Sequence, residues 1–146
     1  MKLLIIDGQS GRLGAQIIES LRKAGLSQPH RIVAVGTNAL ATSAMINAGA
    51  DQGATGENPV VVQCRSADVI AGPIGITLAD AMLGEVTPRM AAAVGQSDAQ
   101  RVLIPSDRCA TFVAGVQPLP RRQLVDIAVG HILQILAAAE GRTQSI

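Results

Sequence analysis

The sequence predicts an α/β domain of the Rossmann type, a three-layer arrangement with a mainly parallel sheet and helices on both faces. Three observations predict it. Short, wholly aliphatic runs alternate with stretches of helical period along most of the chain. The first run feeds directly into a glycine-rich turn and then an amphipathic segment. Apolar residues make up 48% of the 146 residues, yet Phe112 is the sole aromatic, so the core is Ile, Leu, Val and Ala, with Met45, Met82 and Met90 filling gaps. Such side chains suit parallel strands covered on both faces.

The elements follow in order. Leu3 to Ile6 is an apolar run stopped by Asp7-Gly8, a buried strand ending in a turn. Leu13, Ile17, Ile18 and Leu21 then share one helical face, opposite Arg12, Gln16, Glu19, Arg22 and Lys23, and Gly25 stops the helix. Ile32 to Val35 is the second strand. Asn38 caps a helix reaching Ala48, which Gly49 closes. Residues 49–56 carry three glycines and leave room for one very short strand. Asn58-Pro59 opens a helix over Val60 to Ser66, although three consecutive valines also suit a strand. Asp68 to Ala71 is a strand broken by Gly72-Pro73, and Thr77 to Leu83 is a short helical candidate. Thr87-Pro88 starts a helix ending near Gly95. Arg101 to Ile104 is a strand, and Thr111 to Ala114 reads as one more at an edge. The last helix begins near Pro120 and turns Leu124, Ile127, Ala128, Ile132 and Ile135 inward.

This is one domain, residues 1–140, with 141–146 as a loose tail. Only 16% of residues are charged, against about 25% in an ordinary soluble domain, and the net charge is +1. A surface so poor in charge predicts an apolar interface and a homo-oligomer. With no basic run and no stacking aromatics, nucleic acid is excluded as a partner. Cys64 and Cys109 form neither a disulfide framework nor a zinc motif, and no metal site is expected. The first strand begins too soon for a signal peptide, and no apolar run approaches the roughly 20 residues of a membrane span. A cytoplasmic protein without a membrane partner is the expectation.

The chemistry concentrates in the first turn. Gly8, Gln9, Ser10, Gly11, Arg12, Leu13 and Gly14 space three glycines three residues apart. Glycine lets backbone approach a ligand, and a helix N-terminus presents free N–H groups and a favourable dipole to an anion. Arg12 adds a cation beside it. The dinucleotide fingerprint differs in spacing and places an acid about 20 residues later. Here the second strand ends in Gly36-Thr37-Asn38, whose Thr37 and Asn38 suit a ribose or a phosphate. Asp7 admits two roles: it repels an anion unless it is turned away, protonated or bound to a cation, or it caps the turn by hydrogen-bonding nearby backbone. Ligands of open parallel sheets bind outside the carboxyl ends of the strands, which adds Gly72 and Pro73 to the candidate site. A phosphorylated small molecule or a nucleotide is the expected ligand, with NAD(P) or another nucleotide as the cofactor class. Glu57, Asp107 and Cys109 are the acid–base and thiol candidates near that cleft. Glu57 reads more simply as a helix N-terminal acid, and the cysteines as buried thiols. His30 and His131 have no partner at catalytic spacing.

The segments Asp7-Gly8-Gln9, Gly36-Thr37-Asn38, Ala41-Thr42-Ser43-Ala44-Met45 and Gly49-Ala50-Asp51 resemble a group of short bacterial Rossmann-like proteins classed as a domain of unknown function. The resemblance continues through Gly53-Ala54-Thr55-Gly56-Glu57-Asn58, Gly72-Pro73-Ile74-Gly75-Ile76, Met82-Leu83-Gly84-Glu85 and Leu103-Ile104-Pro105 with Cys109. It spans roughly residues 3–130 and implies the fold without an activity. In that group the first turn is richer in glycine, where this chain has Ser10 and Arg12. Three functions follow: a binder of a nucleotide or phosphorylated molecule, a small nicotinamide-dependent enzyme, or a homo-oligomeric assembly subunit.

Overall fold

The computed structural model describes residues 1–106 and 110–143. Its elements are β1 (Lys2–Asp7), α1 (Arg12–Lys23), β2 (Arg31–Gly36), α2 (Ala39–Asn47), β3 (Gln52–Thr55), α3 (Glu57–Cys64), β4 (Val69–Pro73), a 3₁₀ turn (Ile74–Thr77), α4 (Pro88–Gln96), β5 (Gln100–Ile104) and α5 (Arg121–Thr143). The strands form one five-stranded sheet in the order β3-β2-β1-β4-β5, parallel throughout. The chain winds outward from β1 to β3, then crosses back to lay β4 on the other side of β1. The strand order therefore reverses at β1 and β4, where doubly wound sheets hold ligands.

Alternation along the strands divides the core in two. Leu3, Ile5, Ile32, Ala34, Val69 and Ala71 face α1, α2 and α5 through Ile17, Leu21, Met45 and Ile132. Leu4, Ile6, Val33, Val35 and Ile70 face α3 and α4 through Val60, Cys64, Met90 and Val94. This is the predicted three-layer architecture, with β1 buried on both faces.

The caps read at Asn38 and Thr87 are in place, whereas Asn58 does not cap α3: the helix already begins at Glu57, after Gly56, with no side-chain cap. The Asn38 side-chain Oδ1 accepts from the Ala41 amide at 2.9 Å, and the Thr87 hydroxyl accepts from the Met90 amide at 3.1 Å ahead of Pro88. After α1 the amides of Gly25 and Leu26 return to the carbonyls of Arg22 and Leu21, the paired bonds that end a helix on glycine. Val60 is helical rather than extended, because Pro59 lies in the first turn of α3.

Several expectations need correction. Thr111 to Ala114 is not a strand: Phe112 is 88% exposed, the amide of Val116 closes a turn on the carbonyl of Val113, and β5 pairs with β4 alone among the described residues. Thr77 to Leu83 is not an α-helix. The chain reverses there, with the Asp80 amide on the Val86 carbonyl at 2.7 Å and the Val86 amide on the Ala81 carbonyl at 3.1 Å. Ile127 points outward, because the buried stripe of α5 runs through Val125, Ala128, Val129, Ile132 and Leu136. Helix α5 extends through Gly141 to Thr143, where a tail was expected to begin. By length and composition its residues 121–142 are also apolar enough to cross a membrane, which corrects the expectation of no such stretch. Here that apolar stripe packs on the sheet.

Candidate functional site

The carboxyl ends of β1, β2, β4 and β5 lie along one edge, and the turn from β1 into α1 sits at its centre. Gly11 opens α1 with φ 69°, and a Cβ there would meet the Ala41 backbone at 2.6 Å. Only glycine satisfies both the left-handed backbone and the close approach of α2. A Cβ on Gly14 would fall 2.6 Å from the Met45 sulfur and 3.0 Å from the Asp7 Cβ. Gly8 and Gly14 are buried, while Ser10 and Arg12 are exposed at the tip. The turn is thus held from below by packing and presents Ser10 and Arg12 outward.

Asp7 is turned into the protein, 5% exposed. Its two carboxylate oxygens accept the Gly8 and Gly14 amides, each at 2.8 Å. Of the two roles open to it, backbone capping is the one the structure adopts. Burial pushes its pKa above the ordinary aspartate value, opposed by the Gly14 and Gly8 amides, the nearby charge of Arg121 and the Leu13 amide.

Thr37 and Asn38 meet a residue not singled out as a candidate, Glu85. One carboxylate oxygen, Oε1, accepts from the Gln9 amide at 3.0 Å, the Thr37 hydroxyl at 2.8 Å and the Asn38 side-chain amide at 2.7 Å. The other, Oε2, accepts from the Gln9 side-chain amide at 2.9 Å. Desolvation works to raise the Glu85 pKa. The hydrogen bonds from the Gln9 amide, Asn38, Thr37 and the Gln9 side chain outweigh it, and the net shift is downward. Glu85 closes the chain reversal at residues 78–86, in which Asp80, Met82 and Leu83 have φ of 64°, 57° and 58°. Non-glycine residues in that region cost about 1–3 kcal/mol each and persist where surrounding contacts hold them.

The predicted site therefore divides around the turn. Gln9, Thr37 and Asn38 gather on the β2 side about Glu85. On the β5 side a cavity of about 480 Å³ opens, walled by Leu13, Ile104, Phe112 and Leu124 and carrying Ser106, Gln117 and Arg121 as polar groups. Gly72 and Pro73 are buried in β4 between these halves, and a Cβ on Gly72 would lie 2.2 Å from the Ile6 carbonyl oxygen. Gly72 thus serves strand contact, and its side brings no polar group to the edge.

Glu57 stands in the first turn of α3, 3.5 Å from Arg89. The Cys64 thiol is buried and pushed up to about 11 by desolvation, against the nearby charge of Lys2. Such a thiol is unreactive. Asp107 and Cys109 lie outside the described residues. Among the described residues no cluster of metal-ligating side chains occurs.

Residues 2–137 match the family described as a domain of unknown function, DUF3842. The chain belongs to this family. No curated protein matches the DUF3842 chain. Among solved structures it is similar to a dodecameric FMN-dependent UbiX-like decarboxylase from Escherichia coli O157:H7. The two share 17% identity over 94% of this chain and 95% of the other, with a TM-score of 0.49.

Proposed function

We propose that this DUF3842 protein binds a nucleotide or another phosphorylated small molecule at the carboxyl edge of its sheet. The phosphate lies against the turn Gly8–Gly14, and the rest of the ligand enters the adjoining cavity. The observation that carries this reading is the cavity itself. Its volume of about 480 Å³ falls in the range of small-molecule sites, roughly 300–1,000 Å³, and Leu13 of the glycine turn forms part of its wall. The walls combine apolar side chains that suit a ring with Ser106, Gln117 and Arg121, which supply polar contacts for an anionic or hydroxylated group. NAD(P) and other nucleotides have that combination of ring and phosphate.

A thermal-shift screen with NAD, NADP, flavins, adenine and guanine nucleotides and sugar phosphates tests the reading. A ligand at a hundredfold excess over its Kd adds about 2.7 kcal/mol, or roughly 5–10 °C for a domain of this size. Gly11 is too tightly packed to probe the site without disturbing α1 against α2. The exposed Arg12 is the better position, and Arg12→Glu is expected to abolish the shift without lowering the unliganded melting temperature, since an acid at the start of α1 suits the helix dipole. No shift with any of these compounds, or a shift that survives Arg12→Glu, overturns the proposed site.

Self-association is a second reading with its own observation. Leu40, Leu83 and Ile127 are 68%, 98% and 60% exposed, large apolar side chains that a second copy would cover. Light scattering at micromolar concentration is expected to give a mass of at least two chains, and Ile127→Lys to lower it. A monomer across the concentration range would remove this reading.

A further inference from the structure

The donors best placed to take a phosphate at the end of β2 are held by a carboxylate of the protein itself. We propose that Gln9, Thr37 and Asn38 form an anion seat, that Glu85 fills it as an internal stand-in, and that a phosphate group displaces Glu85 when it binds. This rests on the phosphate-binding reading above and assigns that site a latch.

Four donors converge on one carboxylate, three of them on a single oxygen. They come from the ends of β1 and β2, whose positions the sheet fixes through the pairing of Asp7 with Gly36. The acceptor instead comes from the reversal at 78–86, which has no strand or helix of its own. Thr37 and Asn38 thus follow directly on a paired strand, while the occupant is carried on a loop. A phosphate dianion presents more oxygens and more charge than a carboxylate, so the same donors serve it at least as well.

The loop also covers the turn. A Cβ on Gly8 would meet the Met82 sulfur at 2.6 Å and the Glu85 Oε1 at 3.3 Å, so Met82 and Glu85 together sit over the first glycine of the phosphate turn. Displacing Glu85 uncovers that backbone. The loop carries left-handed residues at Asp80, Met82, Leu83 and Gly84, and its own backbone bonds among Asp80, Ala81 and Val86 act with the Glu85 contacts to hold this form. Leu83 lies fully outside, contributing nothing to closure. Ligand and latch compete for one seat, so the apparent affinity is the intrinsic affinity reduced by the fraction of molecules with the seat open.

The test is a titration of the full chain with inorganic phosphate, followed at the Gln9 and Thr37 amide resonances, in wild type, Glu85→Gln and Glu85→Ala. Both variants are expected to bind phosphate at least tenfold more tightly than wild type. In wild type, phosphate is expected to speed amide hydrogen exchange across residues 81–86. Equal or weaker binding by both folded variants overturns the latch, as does slower exchange of 81–86 in the wild type with phosphate bound. If the variants do not fold, the wild-type exchange measurement decides alone. Tighter phosphate binding by the variants without any nucleotide shift in wild type upholds the seat and removes the nucleotide reading. A nucleotide shift abolished by Arg12→Glu, with phosphate affinity unchanged in the Glu85 variants, upholds the nucleotide reading and overturns the latch.

Discussion

Gly72→Ala is expected to destabilise the domain by about 3 kcal/mol or more, the upper end of what overpacking a core costs. The added Cβ would fall 2.2 Å from the Ile6 carbonyl oxygen and 3.3 Å from its carbon. Those atoms belong to the neighbouring strand, so no side-chain rotation relieves the clash, and β1 and β4 must separate. Their pairing, Leu3 with Val69 through Ile5 with Ala71, lies at the centre of the sheet, and both halves of the core depend on it. Gly95, on α4, is the control. A Cβ there meets nothing within 4 Å, and Gly95→Ala is expected to stabilise by up to about 1 kcal/mol through its effect on the unfolded chain. Urea denaturation of the two variants checks both signs. Equal stability of Gly72→Ala and wild type would mean that the strands are spaced more widely than described.

Asp7→Ala is expected to cost about 2–6 kcal/mol, because the Gly8 and Gly14 amides would remain buried without an acceptor, at about 1–3 kcal/mol each. The pH dependence has an unusual sign for a carboxylate. The folded-state pKa of Asp7 is raised, so its contribution to stability is fully present below the unfolded value. It is lost as pH rises through the higher folded value. The stability difference between wild type and Asp7→Ala should therefore be larger in mild acid than at neutral pH. Glu85 behaves oppositely. Its folded-state pKa is lowered, so its contribution is present above the ordinary glutamate value and lost as pH falls through the lower one. Denaturation curves from neutral pH into acid, for Asp7→Ala and Glu85→Gln beside wild type, separate the two slopes. A difference for Asp7→Ala that grows toward neutral pH would overturn the assigned direction.

The central strands were legible because each is an unbroken aliphatic run, a pattern that burial on both faces imposes. Strand β3 was faint for the opposite reason. Gln52, Gly53 and Thr55 are exposed, and the segment is a strand because Val33 to Gly36 offer it a partner, which no local pattern announces. Thr111, Phe112 and Val113 show the converse, strand-forming residues that pair with no described strand. In α5, Ile127 and Ala128 are neighbours in sequence but lie about 100° apart around the helix, on opposite sides of the burial boundary. The glycine turn was legible as a motif, and its geometry shows which glycines serve packing. Asp7 was visible with two possible roles, and only the orientation of its side chain chose between them. Glu85 was the residue least accessible to sequence reasoning. Its partners lie far away in the chain, and it entered the sequence reading only within the Met82-Leu83-Gly84-Glu85 stretch of the family resemblance.

The position of α5 in the chain bears on how the protein is made. One side of the sheet is covered by α1 and α2 over β1, β2 and β4, but the part over β5 waits for Val125, Val129, Ile132 and Leu136. As the polypeptide leaves the ribosome, Val102 and Ile104 therefore face water until residue 136 has cleared the exit tunnel. During that interval the nascent chain carries a sticky aliphatic surface, which is the stage at which a chaperone has most to shield.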